Sequence, residues 1–171
     1  MTKEEYIRKM KEDDEWAPGW DVIEGEFSRL YPGQNPAHFG TSIQSRAMFG
    51  GDEYLDGFSV YTNPDGYMHL VTFGMTELYC EPDAFGGEYS RWGYEMTMKL
   101  KEDNPENCMW AMNMMSNLAR YTYQSERYFD PEECVPGNGT SLHIGTDSQI
   151  TALITVDDTT AMAQDSLHGK V

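Results

Sequence analysis

The chain has 171 residues, and 12 Lys and Arg stand against 29 Asp and Glu, for a formal charge of -17 at neutral pH. Such a charge repels phosphate backbones and anionic lipid headgroups, which makes nucleic acid and membrane surfaces poor partners. The length suits one domain that buries its core without metals or disulfides, and 39% hydrophobic with 13% aromatic residues separates the chain from disordered sequences.

Two readings of the charge stand side by side: it keeps the protein soluble, or it steers a basic protein partner to its surface. Cys80, Cys108 and Cys134 are odd in number and widely spaced, and no apolar run suited to a signal peptide follows Met1. No stretch approaches the roughly 20 apolar residues of a membrane span. A cytoplasmic protein with reduced thiols is therefore expected. Asn138-Gly139-Thr140 matches a glycosylation acceptor, which without secretion is only a turn.

In chain order, Lys3 to Glu15 is mostly charged, with Glu4 and Arg8, and Glu5 and Lys9, at the i, i+4 spacing of a solvated helix. Only Tyr6, Ile7 and Met10 offer it an apolar stripe, so residues 1–16 read as a loosely docked leading helix ahead of a domain over 17–171. Pro18 fits a first helical position, and Trp20, Ile23, Phe27 and Leu30 then recur at helical spacing until Tyr31-Pro32-Gly33 stops the helix. Phe58 and Val60 alternate with Ser59 and Tyr61, Asn63-Pro64-Asp65-Gly66 supplies a hairpin turn, and Tyr67 to Phe73 reads as a central strand covered on both faces. Tyr94, Met96, Met98 and Leu100 alternate with Glu95, Thr97, Lys99 and Lys101, the pattern of a strand with one dry and one wet face.

Asp103-Asn104-Pro105 breaks that strand and offers a cap. Trp110, Met114, Leu118 and Tyr121 then form a second helical stripe reaching about Ser125, widened by Met112 and Met115. Asp130 to Gly139 is a loop rich in Pro, Gly and Glu, and Ile150, Ala152, Ile154 and Val156 alternate with Thr151, Leu153 and Thr155 in a final strand. The expected fold is α+β: a single-domain sandwich in which the Trp20 and Trp110 helices pack on a mixed or antiparallel sheet.

Chemical motifs are sparse. His38, His69, His143 and His168 carry no local signature tying them to a thiol, and His69, inside a two-sided strand, reads as a satisfied core histidine. No Cys or His pair has zinc spacing, and Asn63-x-Asp65-Gly66 lacks the ligand series of a calcium loop. Gly137-x-Gly139 is too short for a dinucleotide fingerprint. No metal, cofactor or catalytic residue is therefore assigned. Glu95, mid-strand between Tyr94 and Met96, is the one carboxylate with two readings: solvated beside Lys99, or buried with a raised pKa.

Several ordered segments resemble one family. They are Leu30-Tyr31-Pro32-Gly33-Gln34, Leu55-Asp56-Gly57-Phe58-Ser59-Val60-Tyr61, His69 to Tyr79, Trp92 to Leu100, and Leu118-Ala119-Arg120-Tyr121. Together, from about Ala17 to Val156, they are similar to the suppressor of fused-like domain, and to its bacterial single-domain members. The resemblance implies an α+β core and a binding function with no known reaction. It also implies an extended peptide held between this domain and a second one in the animal relative, and immunity roles against a toxin among bacterial relatives. Placed on this sequence, it puts Glu77, Tyr79, Glu81 and Asp83 at the mouth of the partner groove, where an ordinary loop is the alternative.

Two departures accompany the likeness. Relatives tend to carry an aromatic pair where Tyr67-Met68 stands, and they run on from a Gly-x-Val segment into a further apolar strand where this chain reaches His168-Gly169-Lys170-Val171. The second departure predicts an exposed sheet edge open to pairing, as a monomer or a homodimer. The leading functional expectation is a non-catalytic domain binding a basic protein, such as a toxin. The alternatives are a carboxylate-dependent hydrolase or transferase, and a self-assembling structural role.

Overall fold

The computed structural model describes residues 1–41 and 54–171. In chain order the elements are α1 (Lys3–Glu12), α2 (Pro18–Leu30), β1 (Ala37–Gly40), β2 (Gly57–Asn63), β3 (Tyr67–Phe73), β4 (Thr97–Leu100), α3 (Met109–Ser125), β5 (Cys134–Pro136), β6 (Ala152–Ile154), β7 (Asp165–Ser166) and β8 (Gly169–Lys170). The main sheet has the order β1-β2-β3-β4 and every pairing in it is antiparallel. The Asn63 to Gly66 turn closes the β2–β3 hairpin: the Asn63 side chain accepts from Asp65 N at 2.8 Å, and Gly66 takes the positive φ of 85° that the turn requires.

The two faces of the sheet carry different helices. Phe58, Val60, Met68 and Leu70 face α3, which offers Ala111, Met112, Met115 and Ala119. Tyr61, Val71 and Phe73 face α2, which offers Ile23 and Phe27, with Tyr31 just beyond its end. Burial on both faces makes β3 the central strand that apolar and aromatic groups on both its faces predict. An α+β sandwich with one helix on each side results.

Four expectations need correction. The leading helix is firmly docked: Tyr6 is fully buried, with its hydroxyl 2.9 Å from His168 Nε2 and accepting from Glu81 N at 2.6 Å. One deeply placed aromatic outweighs a weak stripe. Glu5 there forms a capping box with Thr2, and Lys9 lies over the Trp16 ring. The buried stripe of α3 runs through Ala111, Met112, Met115, Ala119 and Thr122, while Tyr121 is exposed, because the two alanines let the helix backbone approach the sheet.

The strand expected from Tyr94 begins only at Thr97. Thr72 donates its amide to Met96 O at 2.9 Å, and its hydroxyl accepts from Met96 N at 2.8 Å, which interrupts the side-chain alternation and turns Glu95 inward. Finally, Ile150, Ile154 and Val156 are exposed, β6 spans three residues, and β7 and β8 follow it.

Candidate functional site

The segment after β3, Gly74 to Asp83, is held from its inner side by five parts of the chain. Glu95 accepts from Gly74 N, Met75 N and Thr76 N at 3.0, 3.2 and 2.9 Å, and from the hydroxyls of Thr72 and Thr76 at 2.7 Å each. Burial pushes its carboxyl above the usual carboxylate range, against the pull of those hydrogen bonds. The wet-face reading of Glu95 is therefore replaced by a carboxylate turned inward onto a loop.

Glu77 donates its amide to Ser90 Oγ at 2.9 Å and forms an ion pair with Arg91 at 3.2 Å, and its carbonyl lies 3.3 Å from His168 Nδ1. Leu78 O accepts from Gly19 N and Trp20 N at 3.0 and 3.3 Å, so the first turn of α2 donates into the segment. Gly19 is required there, since a Cβ would sit 1.9 Å from Glu77 O. Cys80 Sγ donates to Trp16 O at 3.2 Å, and Tyr6 receives the Glu81 amide.

The outer side of this segment is open. Tyr79 is 49% exposed, with its hydroxyl donating to the Asp56 carboxylate. Glu81 and Asp83 are exposed, and Glu81 Oε1 accepts from Asp83 N at 3.1 Å. Glu77 differs from these three: it is largely covered and paired with Arg91. The structure thus gathers Tyr79, Glu81 and Asp83 on one exposed stretch and gives Glu77 an anchoring position.

A second feature shares Glu95 with this segment. A cavity of about 820 Å³ runs beside β4, and Glu26, Glu95 and Asp158 are among its lining residues. Their environments are unlike, as an acid and base pair would require. Burial pushes Asp158 up, but hydrogen bonds from Thr97, Lys99 and the amides of Ala161 and Thr160 outweigh it and hold the carboxyl well below the usual range. The ion pair with Arg29 lowers Glu26 against its burial.

Yet each of these carboxylates is occupied by internal donors. Glu26 takes Arg29, Met162 N and Gln164 Nε2, and Asp158 takes His69, Thr97, Lys99, Thr160 and Ala161. Their geometry fastens the stretch from Asp158 to Gln164 onto the sheet and α2.

His69 is the satisfied core histidine its position predicts, 2.7 Å from Tyr31 Oη and 3.0 Å from Asp158, and burial lowers its pKa. Burial pushes the Cys80 thiol up, the reverse of an activated nucleophile. Among the described residues, no group of three His, Cys, Asp or Glu side chains is placed to hold a metal ion, and no helix is long and apolar enough to cross a membrane.

The family model described as Suppressor of fused protein (SUFU) matches residues 51–171, well over half of the chain. The chain belongs to the suppressor of fused family. The suppressor of fused homologs of Homo sapiens and Mus musculus are each 34% identical over 125 residues, covering 65% of this chain and 25% of theirs. The aligned part thus spans a quarter of those relatives. A solved structure, the crystal structure of the Sufu–Fu complex, superposes with a TM-score of 0.74 at 23% identity, covering 91% of this chain and 72% of that one, and shows that the fold is shared.

The suppressor of fused match takes in Glu77, Tyr79, Glu81 and Asp83, and it extends through the final residues to Val171. Sequence reasoning missed the anchors of the segment, Tyr6, Gly19, Ser90, Arg91 and His168, and the fastening pair Glu26 and Asp158. Tyr6 as the lone aromatic of a charged helix was a usable signal. Asp158, beside Asp157 in a chain full of carboxylates, offered none.

Proposed function

We propose that this suppressor of fused domain is a non-catalytic, cytoplasmic protein-binding module that captures a basic protein, with Tyr79, Glu81 and Asp83 in the contact surface. The observation that carries the reading is the contrast within one segment: its inner side is hydrogen-bonded to α1, α2, Glu95, Ser90 and the C-terminal stretch, while Tyr79 projects outward among carboxylates. A rigid aromatic anchor with an acidic rim suits a cationic partner, because little ordering entropy is lost on binding. Family membership and the charge of -17 support the same reading.

Within that role, the finer assignment is an immunity protein that blocks a basic toxin such as a nuclease. The test is co-expression with the product of the neighbouring gene, followed by association kinetics at several salt concentrations. A specific complex is expected, with an association rate that falls as salt rises and an affinity lost in Tyr79→Ala. A partner indifferent to both salt and Tyr79→Ala overturns the reading.

A further inference from the structure

The outward-facing Tyr79 is bracketed on its inner side by a run of hydrogen bonds that joins the residues two before and two after it. Glu81 N donates to Tyr6 Oη at 2.6 Å, Tyr6 Oη lies 2.9 Å from His168 Nε2, and His168 Nδ1 lies 3.3 Å from Glu77 O. The donors fix every proton in this run. A carbonyl only accepts, so Nδ1 carries the imidazole proton and Nε2 of the neutral ring is the acceptor. Tyr6 therefore gives its hydroxyl proton to Nε2 while its oxygen receives the Glu81 amide. The bracket is closed by neutral His168.

Both rings are fixed in place. His168 is fully buried and its amide donates to Ser166 Oγ at 3.0 Å; beside it, Leu167 O accepts from Gly86 N and Lys170 N donates to Glu88 O, at 2.9 and 3.1 Å. Tyr6 packs against Trp16 and Phe85, with ring centroids 5.3 and 4.9 Å away. The charges around the imidazole come from each element packed on it. Glu77 and Glu81 act on it from the segment, Glu77 being paired to Arg91 and Glu81 exposed. From α1 and its cap, Lys9 and Asp13 act on Cys80, which neighbours the Tyr6 hydroxyl. Glu26 of α2 is bound to Arg29, Glu88 and Asp165 are exposed, and Lys170 lies over the Tyr89 ring. Burial lowers the His168 pKa against the pull of Glu77 and Glu81.

We propose that Tyr6 and His168 are positioning residues for the contact surface, and that a second proton on His168 opens the bracket and releases the Tyr79 stretch and α1 together. A proton on Nε2 faces the hydroxyl proton of Tyr6, so one of the two groups must turn away. The imidazolium would be buried with no carboxylate in contact among the described residues, which adds to the cost of the closed form. Glu77 stays fastened through Ser90 and Arg91, so the change falls on Tyr79 to Glu81 and on α1. Because the folded value lies below the ordinary 6.5, the bracket is intact above 6.5 and opens as the pH falls through the folded value. The proposal rests on the protein-binding reading and supplies its regulation, a surface that is set at neutral pH and lost in acid.

The test is an NMR titration of the free protein from about pH 8 to about pH 5, the range of histidine, and it needs no partner. The His168 ring is expected to titrate with a midpoint below 6.5, and the amides of Cys80, Glu81 and α1 to shift with that same midpoint. Protection of the Glu81 amide from exchange, corrected for its intrinsic rate, is expected to fall about tenfold across it, the weight of one neutral hydrogen bond. Tyr6→Phe keeps the ring against Trp16 and Phe85 and removes only the hydroxyl. It is expected to raise the midpoint and to show the low Glu81 protection already at about pH 8. Amides that follow no His168 midpoint, or a midpoint unmoved by Tyr6→Phe, overturn the proposal and make these contacts purely structural. A partner indifferent to Tyr79→Ala overturns the contact surface instead, and the opening of the bracket stands or falls on the titration alone.

Discussion

Two carboxylates turned into the protein, one on each face of the sheet, have opposite characters. Glu95, on the α3 side, accepts from backbone amides and hydroxyls only, and burial raises its pKa. Asp158, on the α2 side, accepts from the Lys99 ammonium and from His69 and Thr97, and its pKa is held low despite burial. Each ties a loop to the sheet. The number of hydrogen bonds is similar, but burial outweighs them at Glu95, whereas at Asp158 the bonds from Thr97, Lys99 and the amides of Ala161 and Thr160 outweigh burial. Both sides are packed by apolar clusters; the α2 side adds an ionic tie at Asp158, and the α3 side a cage of amides and hydroxyls around Glu95.

The largest effect is expected for Asp158→Ala, which strands Lys99 and His69 beneath the 158–164 stretch. A loss of about 3–5 kcal/mol is expected for breaking a buried pair, measured by urea denaturation at pH 7. A loss below about 1 kcal/mol would show that the pair is solvated and the contrast between the faces spurious.

The pH dependence comes next in size. Asp158 and His69 both have depressed pKa values in the folded state, from ordinary values of 3.8 and 6.5. Their contribution is present above those values and lost as the pH falls through the folded ones. Stability is expected to decline from pH 7 toward acid, with the steepest loss below pH 3.8, and Asp158→Asn is expected to flatten that limb. Glu95 has the opposite sign: its contribution is fully present below 4.5 and lost as the pH rises through its elevated folded value.

Glu95→Gln should therefore cost less than Asp158→Ala, about 1–3 kcal/mol at pH 7, because one acceptor remains and no cation is stranded. Hydrogen exchange at Gly74, Met75 and Thr76 is expected to quicken in that variant, while exchange in β2 stays unchanged. The smallest change in stability, within about 1 kcal/mol, is expected for Tyr79→Ala, whose side chain is half-exposed. A larger loss would make Tyr79 a structural residue and remove it from the contact surface.

Much of the fold was legible because local pattern and burial agree in β2, β3 and α2. The Asn63 to Gly66 turn and the apolar and aromatic groups on both faces of β3 name a hairpin whose second strand is covered on both sides. The site was partly legible. The family likeness pointed to the stretch around Tyr79, and Glu95 stood out as a carboxylate in a strand-like run. Its inward turn was hidden, because it depends on Thr72 capturing the Met96 amide from a different strand.

The amino-acid sequence alone determined the charge, the helix and hairpin positions and the family, since those depend on composition and on contacts between near neighbours. Tertiary structure decided which face of α3 is buried, that Tyr6 anchors the leading helix, and that Glu95, Glu26 and Asp158 fasten loops. Each of those outcomes rests on partners far away along the chain: His168 for Tyr6, Thr72 for Glu95, Met162 for Glu26 and His69 for Asp158. A carboxylate's role is set by the donors that reach it, and no local pattern announces them.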